Sequence, residues 1–157
     1  MLSKYDIESF ITDIITLVQD NLASKINSIN TEKNDGYSIS TIDTTSYFDD
    51  ITDQVLNVNP FIYYTPVEIT TEMVGPKINT KITLAISVVF DNNNQDGTIK
   101  KVLRYTRCLR EIIQENYKKF GYMSRLNVVE FAPTNIQLNE GSFFKMGGIQ
   151  VVGHISQ

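Results

Sequence analysis

The chain has 157 residues, 41% of them hydrophobic, which is the size of one domain with enough apolar side chains for a sizeable core. A net charge of -4 argues against a dedicated nucleic-acid binder. A lone cysteine, Cys108, excludes an internal disulfide and fits a reducing compartment, and no apolar run is long enough to span a membrane.

In chain order, Ser3 to about Ser28 reads as an amphipathic helix. Ser3 and Asp6 form a capping-box-like pair, and Ile7, Phe10, Ile11, Ile14, Val18 and Leu22 recur at helical spacing. The other side carries Ser9, Thr12, Asp13, Thr16, Gln19, Asp20 and Asn27. The helix is acidic where membrane-surface helices are basic, and Asp6, Glu8 and Asp13 interrupt any secretory core. No targeting segment and no membrane partner are expected.

Residues 30–79 are polar and β-prone. Asn34-Asp35-Gly36 signals a turn, and Tyr37 to Ile42 alternates weakly, as a short edge strand would. Asp49, Asp50 and Asp53 invite a metal reading, but they lack the ligand spacing and glycine of a calcium loop. Asp50 and Asp53 also suit the start of a short helical turn. Phe61 to Thr65 and Val67 to Met73 are strand-like, with Pro60 and Pro66 at their starts. Gly75-Pro76 makes a turn into Lys81 to Asp91, the clearest strand. There Ile82, Leu84, Ile86 and Val88 point one way and Lys81, Thr83, Ala85 and Ser87 the other. Together these runs predict a long antiparallel hairpin whose outer part reaches beyond a compact core.

The loop Asp91 to Gly97 fails as an EF-hand, because its glycine is one position late and Val102 stands where the bidentate Glu belongs. It leads into the best-defined helix, Thr98 to Phe120, with Thr98 as N-cap and Gly121 as the residue after its end. At about 100° per residue, Ile99, Val102, Leu109, Ile113, Tyr117 and Phe120 share one face, with Tyr105 and Ile112 at its edge. Cys108 sits just outside that stripe as a small packing residue. Lys100, Arg104, Arg107 and Lys118 fall on or towards the opposite face. Residues 99–120 hold seven basic side chains against Glu111 and Glu115, a sum of +5, so the remainder must sum to -9. Such a dipolar chain suits meeting its own copies or an oppositely charged partner.

Leu126 to Phe131, Ile136 to Leu138, the turn Asn139-Glu140-Gly141, Phe143 to Met146 and Ile149 to Ile155 complete a sheet, with Gly147-Gly148 bending or bulging the last strand. The fold class is therefore α+β: a small, mostly antiparallel sheet with two amphipathic helices packed on one face and an extended β-hairpin. The chain divides into an N-terminal helix (about 3–28), a variable polar and hairpin region (about 30–79) and a strand-helix-strand block (80–157), all in one domain, 1–157.

Chemical motifs are missing. The one histidine, His154, has no nucleophile elbow or paired motif around it, and there is no HExxH, Walker loop, GxGxxG or clustered Cys/His set. No enzyme activity, catalytic residue, cofactor or metal is expected.

The block KITLAISVVFD, then IKKVLRYTRCLREIIQEN, then LNVVEFAPTNIQL and GGIQVVGHIS resembles the neck and tail-completion proteins of tailed bacteriophages. It is most similar to the tail terminator group, also found on contractile phage-tail-like particles. Leu103 to Asn116 carries most of the likeness, which covers about half the chain plus the N-terminal helix. The resemblance implies a virion protein assembled in the host cytoplasm. Its subunits form a ring, commonly a hexamer, on the last ring of the tail tube. That ring stops tube and sheath polymerisation, joins the tail to the head-tail connector, and lets DNA pass through its lumen without sequence preference. Lys100, Arg104 and Arg107 are then the candidates for contacts to acidic neighbours or the lumen.

A head-closure, adaptor or other neck-tail connector, or a tube or baseplate part, is the nearest alternative. A small enzyme would have to bring His154 together with acids such as Glu130. A nucleic-acid-binding regulator would use the basic helix, but a strand and an Asn-rich loop precede it, not a helix-turn-helix.

Overall fold

The computed structural model describes residues 6–52, 55–91, 97–139 and 142–156, with backbone alone at 57, 138, 139 and 142. Ser3, Asp53, the loop 92–96 and the Glu140-Gly141 turn lie outside the described residues.

The first helix, α1, runs Ile7–Lys33, further than the expected end at Ser28. Asp6 is its N-cap and not its third residue: it has an extended backbone, and its Oδ1 accepts from the Ser9 amide at 2.8 Å. Asn34, in the left-handed region at φ 40°, closes the helix. Phe10, Ile14, Val18, Leu22, Ile26 and Ile29 are buried along one side, continuing the predicted stripe.

The chain then crosses the helices as an extended strap. Tyr37 to Ile42 joins no ladder, contrary to expectation. Asn30 satisfies this backbone instead, its amide donating to the Ile39 carbonyl and its Oδ1 accepting from the Ile39 amide, both at 2.8 Å. Ile39 and Ile42 still enter the core. A two-residue strand missed by the sequence reading, β1 (Tyr47–Phe48), and a 3-10 turn, Val55–Asn57, precede β2.

β2 (Phe61–Val74) and β3 (Lys77–Asp91) form the predicted hairpin, paired from Phe61↔Val89 to Val74↔Lys77. Gly75 at φ 60° supplies the glycine-first turn that a two-residue hairpin loop needs. Pro66 does not break β2, but the register shifts between Pro66 and Glu68. α2 (Thr98–Glu115) follows, then a 3-10 turn Tyr117–Phe120, β4 (Arg125–Asn139) and β5 (Ser142–Ser156).

The sheet order is β1-β2-β3-β5-β4, with β1 parallel to β2 and every other pair antiparallel. β5 lies inside the sheet between β3 and β4, so the last strand is not an edge. Gly147 and Gly148 leave β5 regular, and the irregularity falls on β4 between Phe131 and Thr134. Space explains the glycines. A Cβ on Gly147 would run into Val102 Cγ1 of α2, and one on Gly148 would meet the Ile86 carbonyl oxygen and lie 2.9 Å from Ser87 Cα.

Both helices pack on the face built by Ile82, Leu84, Ile86, Val88, Ile149, Val151 and Ile155. On the opposite face a smaller cluster of Phe61, Val89, Phe144 and Val55 covers one end of the sheet.

Val102, Leu109, Ile113 and Phe120 of the predicted face are buried, but α2 sits rotated towards its Tyr105–Ile112 edge: Tyr105, Cys108 and Ile112 are buried too, whereas Ile99 and Tyr117 point outwards. Gly97 is the N-cap in place of Thr98. The helix stops at Asn116, whose backbone conformation is not helical, and Gly121 lies beyond in an ordinary right-handed conformation.

Candidate assembly surface

The cationic residues expected to reach outwards occupy the helix α2 rows nearest the strap and α1. Arg104 is only 7% exposed. Its NH2 is 2.5 Å from Asp35 Oδ2, and its NH1 donates to the Tyr37 carbonyl at 2.5 Å, so it clamps the strap to α2. Lys100 adds to the same anchor, 3.7 Å from Asp35 and 4.7 Å above the Tyr37 ring centroid, yet keeps most of its side chain in solvent. Arg107 forks onto Glu32 at 2.5 and 3.2 Å and onto Glu111 at 2.8 Å. Lys25 of α1 reaches Glu115 at 2.5 Å and Glu111 at 3.6 Å, and Arg110 reaches Glu130 of β4 at 2.7 Å.

The Arg104 guanidinium holds the Asp35 carboxyl well below the usual carboxylate range, and hydrogen bonds from Arg107 lower Glu32 and Glu111. The carboxylates in turn raise Arg107 further, and Glu115 raises Lys25. The local excess of positive charge is thus largely matched across elements within the chain. The sequence could not reveal this, because Asp35 and Tyr37 lie 69 and 67 residues from Arg104.

α2 also turns apolar side chains outwards. Ile99 and Leu103, one turn apart, are both about half exposed beside a groove of about 380 Å³ whose lining includes Lys33, Lys100 and Leu103. Leu103 in that role was missed by the sequence reading, and its outward direction follows from the rotation of the helix.

The larger exposed apolar surface is the hairpin arm. Val67, Ile69, Met73, Val74 and Ile78 are all at least 40% exposed, Met73 at 73%. Ile69, Met73 and Ile78 continue the helix-side face of the sheet past the point where helices cover it, since Met73 pairs with Ile78 and Ile69 with the fully buried Ile82.

His154 and Glu130 do not meet. Glu130 shares the helix-side face with its cross-strand partner Ile149, while His154 lies on the other face, five residues further along β5. That is about 17 Å along a strand, with the sheet between them. Among the described residues no group of three or more His, Cys, Asp or Glu side chains could hold a metal ion, and no helix is long and apolar enough to cross a membrane. Cys108 is buried in the core, where burial pushes its thiol up to about 11. Tyr105 beneath the strap is raised by burial to about 12 and donates its hydroxyl to the Ser40 carbonyl.

No protein-family model matches the chain, and no curated protein sequence matches it.

Proposed function

We propose that this chain is a structural virion protein. It forms a ring at the head-proximal end of a phage tail, ends polymerisation of the tail tube and sheath there, and joins the tail to the neck. The observation that carries the reading is the hairpin arm, whose exposed Val67, Ile69, Met73, Val74 and Ile78 call for cover by other subunits. The order strand, helix, two strands from Lys77 onwards also agrees with the block in which the resemblance to tail terminators lies.

The reading makes the chemistry of this protein one of surfaces. Its partners are its own copies, probed first, then the tube, the sheath and the connector, with DNA passing through the lumen. The clamped charges of α2 hold strap, helices and sheet together as one body, which is what a subunit under load in a tail requires. Lys100 and the exposed Ile99-Leu103 pair remain available for a neighbour above or below.

The test is the native mass of the full chain in solution, followed by microscopy. A species near six subunits with a central hole is the expected result. A monomer at high concentration that also fails to bind its tail tube would overturn the reading.

A further inference from the structure

Among the described residues the sheet has two open sides: beyond its short pairing with β1 at Ile62 and Tyr63, β2 has no strand on its outer edge, and none lies outside β4. Unpaired edges of this length are templates for another strand, and proteins that keep them single blunt them with prolines, bulges or charges. Here the blunting is local. Pro66 and its register shift interrupt β2, and the irregularity between Phe131 and Thr134, which contains Pro133, interrupts β4. Clean lengths remain at Glu68–Val74 on β2 and Arg125–Phe131 on β4.

These two lengths match in direction, face and charge. β2, β3, β5 and β4 alternate in direction, so β4 runs opposite to β2. A rotated second copy that sets its β2 beside β4 therefore continues an antiparallel sheet. Across the sheet, Thr70, Lys81, His154 and Arg125 form one level row on the face away from the helices, and Glu68, Thr83, Val152 and Asn127 form the next. Ile69, Ile82, Gly153 and Leu126 are level on the helix side. Carried to the next copy, that register puts Arg125 between the carboxylates of Glu68 and Glu72, at the diagonal spacing of cross-strand neighbours. It also puts the half-exposed Ile69 against Leu126.

We infer that Arg125–Asn127 of one copy pairs antiparallel with Glu68–Thr70 of the next, with Arg125 opposite Thr70 and held between the neighbour's Glu68 and Glu72. The inference rests on the ring reading above and adds which surfaces meet. The contact is head-to-tail, so an open run of copies keeps an uncovered β2 edge at one end and an uncovered β4 edge at the other, and every edge is covered only when the run closes.

The test is disulfide capture between separately made full-length variants. Asn127→Cys is mixed with Glu68→Cys, Thr70→Cys or Glu72→Cys under mild oxidation, with Ile99→Cys as the control. Directly opposed antiparallel residues stand about 4.5–5.5 Å apart at Cα, within the span a disulfide bridges. Cys108 is buried and adds no background. The expected result is a cross-linked species with Glu68→Cys, which that register sets opposite Asn127, and none with Ile99→Cys. Capture at Thr70→Cys or Glu72→Cys in its place would overturn the placing of Arg125 between Glu68 and Glu72. No cross-link with any β2 variant overturns the inference, whatever the native mass. If the unmodified protein is then still a closed ring, the ring reading survives on another surface. Cross-linked open ladders without a closed species support the strand joint and count against the ring. A charge exchange gives a second readout: Arg125→Glu alone and Glu72→Arg alone each weaken association by about tenfold, and the two variants mixed regain it. Failure of the mixture to regain association removes Arg125 and Glu72 from the joint.

Discussion

The seat of α2 on the sheet can be tested at one pair of atoms. Gly147 leaves room for Val102, which is fully buried, and a Cβ there would collide with Val102 Cγ1. Gly147 is not among the glycines with positive φ, so space and not backbone conformation excludes a side chain. Overpacking of this kind costs about 1–3 kcal/mol, against which alanine in a strand regains about 0.5–1 kcal/mol over glycine. Gly147→Ala is therefore expected to destabilise by about 1–2 kcal/mol. Val102→Ala removes two buried methyl groups and costs about 2–3 kcal/mol with its cavity. In that background the added methyl fills the space Cγ1 left, so Gly147→Ala becomes neutral or slightly stabilising. The coupling between the two sites should be about 1–2 kcal/mol and favourable. Gly148→Ala is the control, since its methyl meets the backbone of β3 and Val102→Ala does not relieve it. Urea unfolding of the six proteins, compared at constant m, measures all of this. Equal costs of Gly147→Ala in both backgrounds, within about 0.5 kcal/mol, would refute the packing argument.

Three further outcomes follow from the same structure. Ile99→Ser and Leu103→Ser should each change stability by no more than about 0.5 kcal/mol, while Leu109→Ala costs about 2–5 kcal/mol in the same urea assay. Asp35, Glu32 and Glu111 are all depressed by arginine partners, so their contribution to stability is whole above the ordinary values of 3.8 and 4.5 and is lost as pH falls through their lower folded values. Asp35→Asn should flatten the acid side of the stability-pH profile, and superimposable profiles would remove Asp35 from the account. Cys108, buried and raised to about 11, should resist a thiol reagent at pH 8 in the native protein and react at once in denaturant.

The elements that were legible share one property: their neighbours in sequence are the neighbours that matter. Ile82, Leu84, Ile86 and Val88 alternate because one face of β3 is core, and all four are fully buried. Phe10, Ile14, Val18 and Leu22 likewise marked the buried side of α1 correctly. The rotation of α2 was not legible, because the strap buries Arg104 and Tyr105 from a segment some 65 residues away. An arginine on a helix reads as solvated unless its distant carboxylate is known. Gly147-Gly148 carried two meanings, a bulge or a close approach, and only the position of Val102 decides between them. β1, two residues long, has no period to detect.

The same difference in range bears on function. The candidate α2 cations form a cross-element network with Asp35, Glu32 and Glu111, and such networks fix one arrangement of a chain more than they recruit another. The uncovered surface lies instead in segments whose sequence reads as ordinary strand: VEITTEMV on β2 and RLNVVEF on β4. Among the described residues each of these lengths is paired along one backbone edge only. A core strand and an assembly strand differ in what stands beside them, which a single sequence does not contain. Removing charge from α2 should therefore loosen the subunit, whereas removing charge from Glu72 or Arg125 should leave the subunit intact and loosen the contact between copies. Measuring unfolding and native mass on the same Asp35→Asn and Arg125→Glu proteins separates the two roles. Equal effects of both substitutions on association would show that the division between inner clamp and outer edge is wrong.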